Sequence, residues 1–387
     1  SLIDNGRFQQ LNDWLQELTA HDLSGYDLSG CQSIEEWLST VEANTPLRLM
    51  TSGGTSGKIS LLPRTVKDDD YLLYGYFNCY TPFKDEPGIV DFFGDDMFYV
   101  LPFAHNSRHS TGVLLRAIER AFGDRKGHVY HLGGSMSTDK LWLTGRLKKA
   151  QAEGTVEQLK KTKAWKRLSV LQDDEADEPR SIEDLFKDVV TELNGKKAVM
   201  IMGLIYFRDM VDAAEKHGLD INFSPESWHY LGGGIKPQMG HKWGVSEEDR
   251  DRIFEVVDGQ FRVMYGFSEI LDATVRLCPH DHYHFPPWVI PYVLDPETGA
   301  PMPREGTHTG RFAAIDLRAD SYWGGFMSGD ELTMTRGEDC PCGRKGPYFH
   351  ESVIRYTEKN GGDDKITCQR TAAAVAEMAE FMRGATS

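Results

Sequence analysis

Short apolar runs, each too brief for an ordinary helix, alternate along this chain with segments whose apolar residues recur at helical spacing. Residues 47–50, ISLLP (59–63), MFYVLPF (97–103), KAVMIMG (197–203) and FRVMYGF (261–267) read as strands, and GVLLRAIERAF (112–122) and 206–217 as helices. Such alternation predicts an α/β fold, a sheet flanked by helices. Residues 1–48 read as polar and helical, 275–334 as strand and turn, and TAAAVAEMAEFM (371–382) as a closing helix.

Composition narrows the partners. A chain of 387 residues has room for two or three subdomains around sizeable cores. No apolar run approaches the roughly 18 residues that would span a bilayer, so no membrane partner is expected. The net charge of -16 argues against nucleic acid, because phosphate-backbone binding draws on clustered Lys and Arg. The first residues read as an amphipathic helix with Leu11, Trp14, Leu15 and Leu18 on one face, not as a signal peptide, which points to the cytoplasm. Six cysteines, Cys31, Cys79, Cys278, Cys340, Cys342 and Cys368, are too sparse for a disulfide framework and suit metal binding or reactive thiols. Between 139 and 183 a Lys-rich stretch precedes the acidic QDDEADEPRS, reading as a solvated helix and a surface loop.

Directly after the first strand comes TSGGTSGK (51–58). Thr51, Ser52, Thr55 and Ser56 supply hydroxyls, Gly53, Gly54 and Gly57 free the backbone amides, and Lys58 adds an ammonium; together they can converge on phosphate oxygens. A P-loop would need Gly at 52 and Ser or Thr at 59, where this chain has Ser52 and Ile59. Taken alone, the segment is equally readable as a flexible Gly/Ser hairpin turn.

The loop resembles the phosphate loop of the adenylate-forming superfamily, which includes acyl- and aryl-CoA synthetases, luciferases and peptide-synthetase adenylation domains. Gly54 stands where that family often has Thr, and the Pro before the Lys is missing. Three more segments follow in the family's order. WHYLGGGIKP (228–237) resembles the turn lying along the adenine, implicating Gly232, Gly233 and Gly234. YGFSEI (265–270) resembles the Tyr-Gly-x-Thr-Glu motif; the match implies that Tyr265 and Gly266 flank the adenine, Ser268 bonds a phosphate, and Glu269 binds Mg²⁺, a hard cation suited to carboxylate oxygen. SGDEL (328–332) resembles the segment whose Asp, here Asp330, holds the ribose. LPFAHNSRHSTGV (101–113) is similar to the family's His segment beside the acid, with His105 or His109 in that place.

LCPHDHYHFPP and DCPCGRKGP bring together thiols and imidazoles, the donors that Zn²⁺ selects. The CPCGR segment resembles phenylacetate-CoA ligases, and the resemblance implies a structural zinc on Cys278, His284, Cys340 and Cys342, with His280 or His282 as substitutes for His284. Reduced buried thiols with exposed histidines are the alternative.

Only 57 residues follow Asp330, so the superfamily's C-terminal swinging domain is expected to be truncated or absent. The expected layout is one large adenylate-forming domain over 1–355, of several sheets with flanking helices and a helical insertion and acidic loop at 139–183, then a hinge and remnant over 356–387. GGDDKITCQRTAAAVAEM resembles the phenylacetate-ligase hinge, with Gly362 in place of its usual Arg. Length and a late cysteine resemble the acyl-protein synthetases of bacterial bioluminescence, which implies Cys368 as acyl acceptor; a small buried residue at a helix start reads the same way. The resemblance therefore implies ATP-dependent activation of a fatty or aromatic carboxylic acid, then transfer to Cys368, coenzyme A, a carrier-protein thiol or a reductase partner. Two alternatives stand beside it: a conventional acyl- or aryl-CoA ligase, and a noncatalytic nucleotide-binding subunit. VMIMGLIYF (199–207) is a candidate acyl-pocket lining or simply a buried strand.

Overall fold

A computed structural model describes residues 2–52, 59–78, 92–168, 179–232, 245–270 and 275–356. Its strands are β1 (Arg48–Thr51), β2 (Leu61–Arg64), β3 (Met97–Ser107), β4 (Val129–Met136), β5 (Lys197–Met202), β6 (Trp228–Leu231), β7 (Gln260–Tyr265), β8 (Val275–Leu277), β9 (His282–His284), β10 (Val289–Leu294), β11 (Gly306–Asp316), β12 (Gly325–Arg336) and β13 (Tyr348–Arg355). β1 and β2 form a separate antiparallel hairpin. The rest make one 11-stranded sheet in the order β10-β11-β12-β13-β9-β8-β7-β6-β5-β3-β4. From β4 to β7 neighbouring strands run parallel, and from β7 onward every pairing is antiparallel.

The parallel half is covered on both faces, which explains why its strands read as unbroken apolar runs. Along β5, Ala198, Met200 and Met202 pack against the helices Ile182–Glu192 and Leu204–His217, while Val199 and Ile201 join the core beneath the helix Ser110–Phe122. The crossover from β3 to β4 thus lies on one face and the connections leaving β4 and β5 on the other. In sheets of this kind the direction reversal opens a crevice at the carboxyl ends of the strands, here between β3 and β5, where ligands bind.

The N-terminal segment is two helices, Phe8–Gln16 and Ile34–Asn44, rather than one continuous stretch. Gly25 at φ +89° turns the chain between them, and Asn12 secures the turn by donating to the Leu23 carbonyl at 2.8 Å and accepting from Tyr26 and Trp37. Ser33 then caps the second helix by accepting the amide of Glu36. The Lys-rich stretch is half embedded: Leu147, Ala150, Leu159 and Trp165 enter the same core as Trp37, leaving the lysines outward. Helices Val66–Asn78 and Glu247–Val256, and strand β4, are elements that the apolar pattern did not single out. Among the described residues no helix is long and apolar enough to cross a membrane.

His229 on β6 is fully buried between the Phe207 and Phe261 rings and donates from Nε2 to the Asp258 carbonyl at 2.8 Å. Burial pushes its imidazole down to about 4, so the unfolded chain takes up a proton near pH 6.5 that the folded chain refuses. The stability this contributes is complete above pH 6.5 and is lost as pH falls toward 4, up to about 3 kcal/mol in all. His229→Gln, which keeps a donor for Asp258, is expected to flatten the fall in urea-unfolding free energy across that window.

Candidate active site

The hairpin delivers the glycine loop to the end of β3. The Thr51 amide donates to the Arg108 carbonyl at 2.7 Å, and Thr51 bridges to His109. The two ends of the loop are latched to each other: the Ser52 amide donates to the Ser60 carbonyl at 3.2 Å, and the Ser60 amide donates to Ser52 Oγ at 2.9 Å. Gly53, Gly54, Thr55, Ser56, Gly57 and Lys58 lie outside the described residues, as do Gly233, Gly234 and Cys368.

Glu269 meets the loop where it re-enters the hairpin. Ser60 Oγ donates to Glu269 Oε1 at 3.0 Å. The peptides before and after are held from below by Arg64, whose NH2 donates to the Ser268 and Glu269 carbonyls at 3.1 and 3.0 Å. Tyr322 OH adds a second bond to the Glu269 carbonyl, at 3.0 Å, while the Arg64 guanidinium lies 3.8 Å over the Tyr322 ring. Arg64 is 1% exposed, and among the described residues it makes no ion pair; its charge is met by carbonyl dipoles and a ring face. The sequence reading passed over this residue. Its only signal was a charged residue closing the apolar run of β2.

Tyr265, at the end of β7, donates its hydroxyl to Asp330 Oδ2 on β12. Burial, and next the Asp330 carboxylate, hold that hydroxyl well above its usual range, so it stays a donor. Asp330 is also approached by Arg355 Nε at 3.6 Å, and its amide donates to Ser328 Oγ at 3.0 Å. The Tyr265 ring sits among Phe267, Tyr283 and Phe349, with centroids at 4.6, 6.0 and 5.5 Å. Gly266 is exposed beyond it, and Gly232 follows β6 with, among the described residues, only Met264 Cε, at 3.6 Å, near where a Cβ would stand. Thr51, Ser52, Gly232, Tyr265, Gly266, Ser268, Glu269 and Asp330 thus stand on a hairpin and strand ends linked by these bonds.

The two candidate histidines differ. His109 is buried and caps the helix Ser110–Phe122, its Nδ1 accepting from the Thr111 amide and lying 2.8 Å from Thr111 Oγ1. Burial pushes its imidazole down to about 4, leaving it neutral. His105 instead pairs with Glu119 at 2.7 Å, on the opposite oxygen from His131 at 3.2 Å.

Cys278, His284, Cys340 and Cys342 converge farther along the antiparallel half, with one donor atom of each within 4.8 Å of all the others. Cys278 Sγ is 3.9 Å from Cys340 Sγ, and Cys342 Sγ is 3.3 Å from His284 Nε2. The thiols are free, not disulfide-bonded. Burial pushes the Cys340 thiol up to about 12 and the His284 imidazole down to about 4, so the ring is neutral and can donate a lone pair. His282 stacks on Tyr348 and places Nδ1 3.3 Å from Cys340 Sγ; His280 is exposed.

No protein-family model matches the chain, and no curated protein matches it. Solved structures share part of its shape. One is a 2-hydroxyisobutyryl-CoA ligase in the postadenylation state, at TM-score 0.46 and 14% identity, covering 92% of this chain and 67% of that one. Another is a long-chain-fatty-acid-CoA ligase from Archaeoglobus fulgidus, at TM-score 0.43 and 12% identity, covering 81% of this chain and 52% of that one. A third is a luciferase-like enzyme from the nonluminescent mealworm Zophobas morio, at TM-score 0.40 and 11% identity, covering 87% of this chain and 60% of that one. The chain spans from about half to two thirds of their lengths. Those likenesses are of shape at low identity; the chemistry of the site rests on its own side chains.

The bond between Tyr265 and Asp330 is the charge-assisted kind, worth about 1.5–3 kcal/mol. Tyr265→Phe keeps the ring contacts and is expected to lower the unfolding free energy by roughly that amount, read from denaturant midpoints at constant slope.

Proposed function

We propose that the chain activates a carboxylic acid with ATP, forming an acyl-adenylate that is then passed to a thiol. One observation carries the reading: the Ser60–Glu269 hydrogen bond of 3.0 Å joins the exit of the glycine loop to the carboxylate of YGFSEI. Segments separated by some 209 residues of sequence therefore meet at the carboxyl ends of the parallel strands, with Asp330 held through Tyr265 nearby. An anion-cradling loop, a metal-ready carboxylate and a carboxylate suited to ribose hydroxyls form a set that nucleotide chemistry requires and a plain scaffold does not.

In the first half-reaction a carboxylate oxygen of the acid attacks the α-phosphorus of ATP, the bond to the bridging oxygen of the β-phosphate breaks, and pyrophosphate leaves. Such a step depends on positioning and on neutralising phosphate charge. Lys58 and the amides of 53–57 would supply that charge and those donors. Mg²⁺, held by Glu269, would contribute further neutralisation. Asp330 would take the ribose hydroxyls, Gly232 to Gly234 would lie along the adenine, and Ser268 would face phosphate, while Thr51, fully buried, would anchor the entry of the loop. His109, neutral as the cap of its helix, would act as a hydrogen-bonding and space-filling neighbour of the acid and not as a base. In the second half-reaction a thiolate attacks the acyl carbon and AMP departs; coenzyme A, a carrier thiol and Cys368 are the acceptors of matching chemistry.

The cysteine and histidine cluster suits Zn²⁺. At usual Zn–S lengths a tetrahedral site separates its sulfurs by about 3.8 Å, close to the 3.9 Å between Cys278 and Cys340. Three thiols and a neutral imidazole make a closed ligand set, whose part would be to pin β8, β9 and the segment before β13. Coordination would also offset the desolvation that burial imposes on the Cys278 and Cys340 thiolates.

Acid-dependent exchange of labelled pyrophosphate into ATP, over fatty and aromatic acids, is the test. Exchange with a subset of acids, reduced about 100-fold or more in Lys58→Ala and Glu269→Ala, is the expected result; ATP binding without exchange for any acid would refute adenylation. Thioester formation that persists in Cys368→Ala would assign the acceptor to a soluble thiol. Elemental analysis is expected to find zinc in the purified chain, with Cys340→Ser losing the metal and unfolding at lower denaturant.

A further inference from the structure

A cavity of about 520 Å³ lies beside the crevice, among the helices Ile34–Asn44, Val66–Asn78 and Ser110–Phe122 and the ends of β3 and β4. Four arginines line it, Arg48, Arg108, Arg116 and Arg120, against three carboxylates, Glu35, Glu42 and Asp69. Every one of those carboxylates is already engaged. Glu35 and Glu42 both pair with Arg108, the second at 2.8 Å, and Glu42 also accepts the Leu49 amide at 2.9 Å. Asp69 pairs with Arg120 at 3.4 Å.

The other two guanidinium groups face Glu42 only at longer range, and Arg116 faces Asp69 and Glu119 in the same way. Arg116 NH1 donates to the carbonyls of His105 and Ser107, each at 2.8 Å. Arg48 NH1 donates to the carbonyls of Leu47 and Glu42, at 2.7 and 3.4 Å. Among the described residues neither makes an ion pair. Carbonyl oxygens orient a guanidinium without cancelling its charge, and the half-buried charge of Arg116 is costly until an anion joins it, whereas Arg48 stands exposed at the cavity's edge. Burial indeed lowers the Arg116 guanidinium from its ordinary value. Neutral donors stand on the same wall: Ser135, and Ser137, whose side chain makes no capping bond although it heads the helix Thr138–Glu153.

We propose that this cavity binds the phosphate group of a small phosphorylated molecule, with Arg48 and Arg116 as counter-ions and Ser135 and Ser137 as neutral donors. Four arginines against three carboxylates leave the lining one positive charge in excess, which an anion would balance; two guanidinium forks and two hydroxyls offer more donors than the two oxygens of a carboxylate take, while a phosphate monoester presents three. The guanidinium fork matches its oxygens. The volume exceeds that of phosphate alone and falls in the range of small-ligand pockets, leaving room for the rest of the molecule. The cavity is separate from the adenylation site proposed above, although Arg108, whose carbonyl holds the Thr51 amide, sits between the two.

The test titrates inorganic phosphate against the full chain and follows thermal unfolding at constant ionic strength, with chloride as the reference and citrate as the carboxylate arm. Saturable stabilisation by phosphate beyond chloride, shifted to roughly tenfold higher concentration or more in Arg48→Gln, is the expected result. Arg48 is exposed, so this variant folds even if Arg116→Gln does not; where Arg116→Gln folds, it shifts the titration likewise. Stabilisation that Arg48→Gln leaves untouched puts the anion elsewhere and overturns the proposal. So does the absence of any effect beyond chloride. Citrate saturating at lower concentration than phosphate overturns the assignment of the ligand as a phosphate.

Discussion

The buried guanidinium of Arg64 is the constraint on which the site depends. It lies on a hairpin outside the main sheet, yet it binds the two peptides that carry Ser268 and Glu269 and stacks on Tyr322, which bonds the same peptide from the antiparallel half. Tyr322 in turn lies beside the N-terminal segment, through its bridge to Thr19 and the Trp323 amide bond to the Leu18 carbonyl. One side chain thus joins the loop-bearing hairpin, the end of β7 and the segment leading into β12. Both carbonyls are met by a single nitrogen, NH2, so what a lysine would lack is the flat guanidinium face that lies over the Tyr322 ring.

β7 is the other organising element, because it is parallel to β6 on one side and antiparallel to β8 on the other. Parallel strands buried under helices on both faces end in line, so the loops after β3, β5, β6 and β7 leave the same edge of the sheet. The antiparallel half can then bring β12 back across that edge, setting Asp330 against Tyr265. Neither half alone would place a carboxylate from residue 330 beside a loop from residue 265.

Much of the α/β pattern was legible in the apolar runs, and the glycine loop and the paired cysteine segments offered readable local chemistry, whereas YGFSEI and SGDEL stood out only through their resemblance to a family's motifs and their order. All five of the strands anticipated from those runs, β1, β2, β3, β5 and β7, appear within a few residues of where the pattern put them. What was not legible follows from physical causes. The helix Val66–Asn78 opens VKDDD, and its acidic turn masks the apolar face supplied by Leu72 and Leu73. The helix Glu247–Val256 buries one residue of its ten, Ile253, too few for a periodic signal. β4 is interrupted by Gly133 and Gly134 at positive φ, which erases alternation at its end. Arg64 could not be found by pattern at all, since its role depends on peptides some 204 residues away.

The cysteine and histidine cluster looks remote from the proposed nucleotide site, but the alternation of β9 connects them. His282 and His284 point toward the thiols, so Tyr283 between them must point to the other face. There it stacks on Phe349 at 4.8 Å and reaches the Tyr265 ring at 6.0 Å. Tyr265 carries the hydroxyl that fixes Asp330. A strand only three residues long has little stability of its own, so whatever holds its two histidines also sets the position of Tyr283, and through the aromatic stack the direction in which Asp330 presents its carboxylate. The cluster thus bears on the proposed site only through packed rings, which tolerate little displacement.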